Sequence, residues 1–188
     1  MSGRLVILSG PSGVGKDTVI DAWARRDPLV KRVVAYTTRA PRPGEQNGVD
    51  YNFVSVERFE ELMEQGAFLE AKNVHGNWYA TPLADMEAML ADGLVVVLKI
   101  DVQGAMVAME RLPWALTVML APPSDEELER RIRGRGTESE DVVAKRLQNA
   151  RDELAQAPRY QHVVVNRDVY AAVEEIMSLV EEKWPASS

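Results

Sequence analysis

The chain has no cysteine, which excludes a disulfide-stapled scaffold and a metal site built on thiolates, and leaves the redox compartment open. It also lacks a surplus of positive charge: 22 Lys and Arg stand against 29 Asp and Glu, a formal charge of −7. That balance argues against a general affinity for DNA, RNA or an anionic membrane, so any anionic ligand has to be held by a local basic cluster. Long hydrophobic runs are missing too. The apolar stretch near the N-terminus covers only residues 5–8, too short for a signal h-region or a membrane span, and the expected location is the cytoplasm, with no membrane partner. There is no internal repeat and no low-complexity tract.

What is present is the composition of a globular domain. Of 188 residues, 46% are hydrophobic and 27% charged, which suits one compact domain with small insertions. Short continuous apolar runs at residues 5–8, 94–98, 116–120 and 163–165 read as buried parallel strands, because a strand covered on both faces needs no polar alternation. Segments with helical apolar spacing separate them. Ser124 and Glu127, three residues apart, form a capping box for a helix leading to Arg133, and Asp168 is placed to cap one running toward Trp184. Strands alternating with helices imply an α/β fold, a parallel sheet with helices on both faces. Residues 36–82 break this rhythm with turn-rich patches and strand-like stretches at 51–55 and 67–73, the pattern of a small inserted subdomain. Residues 134–147, polar and glycine-bearing between two helical patterns, are a candidate lid. The core is then 1–35, 83–133 and 148–188.

Gly10-Pro11-Ser12-Gly13-Val14-Gly15-Lys16 fits the phosphate-loop pattern G-x-x-x-x-G-K, directly after a predicted strand and at the opening of a helix, the context the motif needs. Its glycines let main-chain N–H groups turn around a polyphosphate, the helix N-terminus adds a positive dipole, and Lys16 supplies a mobile charge for the β- and γ-phosphates of ATP. Asp17 stands where Ser or Thr normally offers a hydroxyl to the accompanying magnesium ion, and Thr18 follows it. Asp17 could replace that hydroxyl as a metal ligand, Thr18 could take over part of its role, or Asp17 could simply favour the positive helix N-terminus. A second anion site is suggested by Arg39 and Arg42, three residues apart around a proline turn and suited to clamp one phosphate from two sides. An ordinary solvated Arg-Pro turn is the other reading of the same residues.

The blocks GPSGVGK, TTRAPRPGEQNGVDY, FLEAKNVHGNWYATP, IDVQGA and RGRGTESEDVVAKRL together resemble guanylate kinase, in order and over nearly the whole chain. The resemblance implies a P-loop parallel sheet carrying a GMP-binding insert and a lid. It also implies magnesium-dependent transfer of phosphate from ATP to GMP, with these small molecules, and no nucleic acid, as partners. By position, Gly10, Pro11, Ser12, Gly13, Val14, Gly15, Lys16, Asp17 and Thr18 would hold the ATP phosphates, with Asp17 and Thr18 the candidates for magnesium and Asn166 near the adenine. Arg39, Arg42, Tyr51 and Tyr79 would bind the GMP phosphate, with Thr81 in the same site, while Glu70 and Asp101 would face the guanine ring. Lid residues Arg135 and Arg146 would close over the phosphates and complete a catalytic set with Lys16 and Arg39, with Arg131 and Arg133 as weaker candidates. Guanine presents N1–H and N2 amine donors, which acceptor-only carboxylates suit.

Taken without the resemblance, Tyr51 and Tyr79 also read as ordinary strand aromatics, Glu70 as a solvent-facing strand residue and Asp101 as a cap for the helix at Val102. Four positions depart from the family pattern: Asp17 in the loop, Ala35 for a serine that touches guanine, Ala80 for a common glycine, and Lys99 for an acidic residue ahead of Asp101. A kinase for another phosphorylated small molecule and a catalytically silent binding module are the alternative functions. The second has no need of an intact Gly15-Lys16 cradle together with lid arginines.

Overall fold

The computed structural model describes residues 3–74, 76–134 and 139–185. In chain order its elements are β1 (Arg4–Ser9), α1 (Lys16–Arg26), β2 (Val30–Arg32), β3 (Tyr36–Thr37), β4 (Asn52–Phe53), α2 (Val56–Glu64), β5 (Phe68–Val74), β6 (Asn77–Pro82), α3 (Leu83–Ala91), β7 (Val95–Lys99), α4 (Val102–Arg111), β8 (Leu116–Ala121), α5 (Asp125–Arg133), α6 (Glu140–Leu154), β9 (His162–Val165) and α7 (Val169–Lys183).

β1 is the centre of a five-stranded sheet ordered β2-β7-β1-β8-β9, and every pairing in it is parallel, with Leu5 opposite Val96 and Leu8 opposite Val118. Leu5, Val6, Ile7 and Leu8 are all 0% exposed, because successive side chains enter different cores. Val6 and Leu8 pack with Trp23 of α1 and Ile176 of α7, while Leu5 and Ile7 pack with Leu90 of α3 and Ala105 of α4. Two covered faces account for the unbroken apolar run, and each fully buried side chain of this size contributes about 1.5–3 kcal/mol of transfer free energy. All four apolar runs map to strands of this sheet, with Leu94 one residue ahead of β7, but the last is not buried as expected: on the edge strand β9 only Val164 is covered, while Val163 and Val165 are exposed. The other edge strand, β2, the three residues Val-Lys-Arg, carries no comparable run and was not anticipated.

Residues 36–82 carry α2 and a second sheet, ordered β4-β3-β6-β5. Its strands β3 and β4 have only two residues each, so the stretch expected at 51–55 shortens to Asn52–Phe53. An aromatic core compensates. Phe59 of α2 is 0% exposed, with its ring centroid 4.9 Å from that of Phe68 and 5.8 Å from that of Trp78. Ala80 is buried in the same cluster, which explains why a side chain is useful there.

Ser124 accepts the Glu127 N–H as the cap of α5, but the Glu127 carboxylate turns away to Arg130 and Arg131, so the capping box is formed in one direction only. Asp168 caps α7 through the Ala171 N–H. Helix α6 starts at Glu140, which makes residues 140–147 helical rather than a connection between helices; Arg135 lies outside the described residues. No described helix is long and apolar enough to cross a membrane.

Phe59→Ala should lower the unfolding free energy by about 3–5 kcal/mol, the usual cost of truncating a buried aromatic, read from the urea midpoint at constant m-value. A loss below about 1 kcal/mol would show that this aromatic cluster is not a packed core.

Candidate active site

Between β1 and α1 the chain turns through Gly10, Gly13 and Gly15 at φ of 140°, 88° and 99°, values that L side chains rarely adopt. Two of the three are also closed sterically. A Cβ on Gly10 would collide with the Leu120 carbonyl, and one on Gly15 would lie 2.7 Å from Asn166 Nδ2. The loop is braced from outside: Asn166 Nδ2 donates to the Val14 carbonyl at 2.8 Å, and Arg131 donates to that carbonyl at 3.2 Å and to the Asn166 carbonyl at 3.1 Å. Glu127 holds Arg131 in turn, at 2.7 Å. Arg131 therefore supports the cradle, and the Asn166 amide nitrogen is bonded to the loop itself.

Lys16 Nζ curls back to donate to the Gly10 carbonyl and, at 3.1 Å, to the Pro11 carbonyl. Burial is the main influence on this ammonium and lowers its pKa to about 8, helped by Lys99 and opposed by Glu153 and Asp17. Arg146 reaches the same loop, donating to Ser12 Oγ at 3.2 Å. Seven residues further along α6, on the same helix face, Glu153 takes a hydrogen bond from the Ser12 main chain, and burial raises its carboxyl above the ordinary range. Arg133 is not part of this group; it links Glu129 to Glu140, joining α5 to α6.

Asp17 and Thr18 are both exposed on the first turn of α1. Asp17 Oδ1 accepts from Lys99 Nζ at 2.6 Å and from Arg32 at 2.9 Å. Burial pushes its carboxyl up, but Lys99, Arg32 and Lys16 together outweigh this and leave it below the usual value. Among the described residues no group of three His, Cys, Asp or Glu could hold a metal ion by itself. That donor set fits a magnesium ion held chiefly by nucleotide phosphates, which needs only one or two protein oxygens; Asp17 Oδ2 and the Thr18 hydroxyl are of the right kind.

The second cluster is organised by Glu45, which sequence reasoning did not single out, although it lies three residues after Arg42. Its Oε1 accepts from Arg39 Nη2 at 2.8 Å and its Oε2 from the Arg42 N–H at 2.7 Å, so a single carboxylate shapes the turn. Arg39 Cζ lies 5.6 Å from the Tyr51 ring centroid, and Tyr51 meets Tyr79 edge-on at 5.9 Å. The Arg42 side chain is exposed.

A β-bulge between Phe68 and Glu70 breaks the alternation of β5 and turns Glu70 inward, where it is 8% exposed. Thr81 Oγ1 donates to Glu70 Oε1 at 2.6 Å. Burial raises the Glu70 carboxyl, the Thr81 bond opposes that, and the charge of Asp101 adds to it. A Cβ on Gly104 would stand 2.8 Å from Glu70 Oε2, so the glycine is what lets α4 approach. Asp101 Oδ1 does cap α4, accepting the Gly104 N–H at 2.8 Å, while its Oδ2 accepts from Lys72 at 2.8 Å. Lys72 was missed by sequence reasoning; its position two residues after Glu70, on the same strand, is the signal that marks it. Ala35 contributes its carbonyl, accepting the Asn52 N–H at 2.8 Å.

The sequence model of the guanylate kinase family matches residues 2–183. The chain is 44% identical over 180 residues to the guanylate kinase of Aromatoleum aromaticum, covering 96% of this chain and 88% of the relative. It is 47% identical over 180 residues to that of Mycolicibacterium paratuberculosis, covering 95% and 81%. Among solved structures, the guanylate kinase of Anaplasma phagocytophilum superposes with a TM-score of 0.79 at 31% identity, covering 98% of this chain and 88% of that one. A shikimate kinase from Bacteroides thetaiotaomicron shares the fold alone, with a TM-score of 0.52 at 18% identity over 95% of this chain and 98% of its own. With its P-loop, its arginine turn and its buried carboxylate in place, the chain belongs to the guanylate kinase family.

Proposed function

We propose that the chain carries out the reaction of its family, ATP + GMP giving ADP + GDP, by positioning and charge neutralisation, with no covalent intermediate on the protein. The observation that supports this reading most is the Glu70 carboxylate, buried, strapped by Thr81 and neighboured by Asp101. An acceptor-only pair has a purpose in front of a base edge that carries two donors, and guanine has that edge. The acceptor phosphate is already anionic, so no strong general base is needed.

In this reading the loop from Gly10 to Gly15 and the α1 N-terminus bind the ATP phosphates. Lys16 leaves the Gly10 and Pro11 carbonyls for the β- and γ-phosphates, and Arg146 leaves Ser12 for the transferring group. Arg135, outside the described residues, joins it by family resemblance. Arg39, Arg42, Tyr51 and Tyr79 take the GMP phosphate, with Glu45 holding the Arg39 guanidinium and the main chain at Arg42. Asp17 and Thr18 are the groups that would hold magnesium, which when bound neutralises charge on the β- and γ-phosphates. Asn166 acts here as a brace of the cradle. The lid role of residues 134–147 and the cytoplasmic location stay part of this proposal.

Lys16 yields a pH test. The ligand-free ammonium is held at about 8, so above that pH the free enzyme loses the charge that captures ATP, whereas bound phosphate raises the pKa again. The expected result is that kcat/KM for ATP falls above an apparent pKa near 8 while kcat stays level to higher pH, since the first reports free enzyme and the second the complex. Parallel profiles without an inflection below pH ~9.5 would remove Lys16 from this role.

Arg42→Ala should weaken GMP at least about ten-fold, with the ATP analogue changed less than about two-fold, each titrated separately by calorimetry. Equal weakening of both ligands would contradict two separate anion sites.

Base choice tests the carboxylates. Adenine places a lone pair at N1 and has no amine at C2, so AMP should be used about 10⁴-fold less efficiently than GMP, with IMP between them. AMP turnover within about ten-fold of GMP would remove Glu70 and Asp101 from guanine recognition.

A further inference from the structure

Two of the positions that depart from the family pattern, Asp17 and Lys99, touch each other: Lys99 Nζ donates to Asp17 Oδ1 at 2.6 Å. Arg32 shares that oxygen at 2.9 Å. Both cations continue past Asp17 into residues 36–82. Arg32 Nη2 donates to the Val49 carbonyl at 2.8 Å, and Lys99 Nζ stands 5.4 Å from the centroid of the Tyr51 ring. The Lys99 and Arg32 side chains are 16% and 18% exposed although Asp17 is 61% exposed. The cations are thus covered where they meet the insert, while the carboxylate between them is exposed.

We propose that Asp17, Lys99 and Arg32 form an ionic clasp that positions the acceptor-binding insert against the phosphate-binding helix, so that occupancy of the ATP site is felt at the GMP site. The clasp starts one residue after Lys16, at the point of α1 that bound phosphates pull on. It ends on Tyr51, whose ring also lies against Arg39. β7 and β2 carry the two cations and are paired side by side in the central sheet, a rigid base for both. An isolated exposed ion pair transmits little; here one carboxylate oxygen fixes two cations, and each has a further partner in the insert. Asp17 is accordingly a positioning residue as well as a candidate metal contact, and Lys99 is a positioning residue for the acceptor site.

The inference rests on the reading of Tyr51 and its neighbours as the acceptor site. GMP is titrated into the full chain by calorimetry, alone and with a saturating non-hydrolysable ATP analogue and magnesium, and the ratio of the two affinities is the coupling factor. The wild-type factor is expected to be at least about ten-fold. Lys99→Met should bring it within about two-fold of unity, and Lys99→Arg, which keeps the charge, should retain most of it. In a cycle of Asp17→Asn, Lys99→Met and the double variant, GMP affinity with the analogue absent should be non-additive, because both single changes break one contact. A purely structural role would lower the melting temperature and leave the coupling factor unmoved. Wild-type coupling below about two-fold, a Lys99→Met factor equal to wild type, or an additive cycle overturns the clasp. Undiminished GMP binding by Arg42→Ala would instead overturn the acceptor-site reading, whatever the coupling factor.

Discussion

Phosphoryl transfer from ATP to GMP brings two polyanions into contact, and in a chain of net charge −7 the gathering of enough positive charge in one cleft governs the rest of the architecture. Cations set close together repel one another and depress each other's proton affinity, as Lys99 does to Lys16. The fold answers with resident carboxylates. Glu45 holds Arg39, Asp101 holds Lys72, Asp17 holds Lys99 and Arg32, and Glu127 holds Arg131. The negative surplus of the sequence is thus partly a set of internal counter-ions that keep these cations oriented.

The counter-ions fall into two kinds. Glu127 and Arg131 grip the back of the P-loop at Val14 and Asn166, and the loop is rooted in β1, the strand buried on both faces. This part is preorganised, so in the proposed reaction donor phosphates would meet amides and a dipole that need little reorganisation. Glu45, by contrast, holds the Arg39 side chain, which in the proposed reaction moves onto the acceptor phosphate. The dividing line follows the chain: Arg131 and Glu127 stand on α5 beside the five-stranded sheet, whereas Arg39 and Glu45 stand in the insert.

Much of this was legible in the sequence, because it depends on local chemistry. A continuous apolar run is what a strand with two covered faces requires, and Gly10, Gly13 and Gly15 occupy positions where the backbone excludes other residues. Ser124 and Asp168 sat where caps were expected. The illegible part depends on tertiary placement. The bulge that turns Glu70 inward leaves alternation-based reading without a guide. The pairing of Asp17 with Arg32 depends on β2, too short and polar to announce itself, and the reach of Glu153 to Ser12 depends on how α6 lies over the loop. Asn166 shows the same limit, since nothing in its neighbours in sequence says that its amide binds the Val14 carbonyl.

The two-residue strands β3 and β4 set a hierarchy of local stability. A ladder that short contributes few main-chain hydrogen bonds, and among the described residues the buried members of the hydrophobic cluster beneath it are Phe59, Phe68 and Ala80, against the long rows of aliphatic side chains under the central sheet. Free energy of opening follows buried contact and protected hydrogen bonds, so amides of residues 36–54 should exchange with solvent through partial openings in which β1, β7 and β8 stay closed. The insert is therefore expected to be the softer part of the molecule, and in the proposed reaction it can part from product while the sheet that carries the P-loop stays folded.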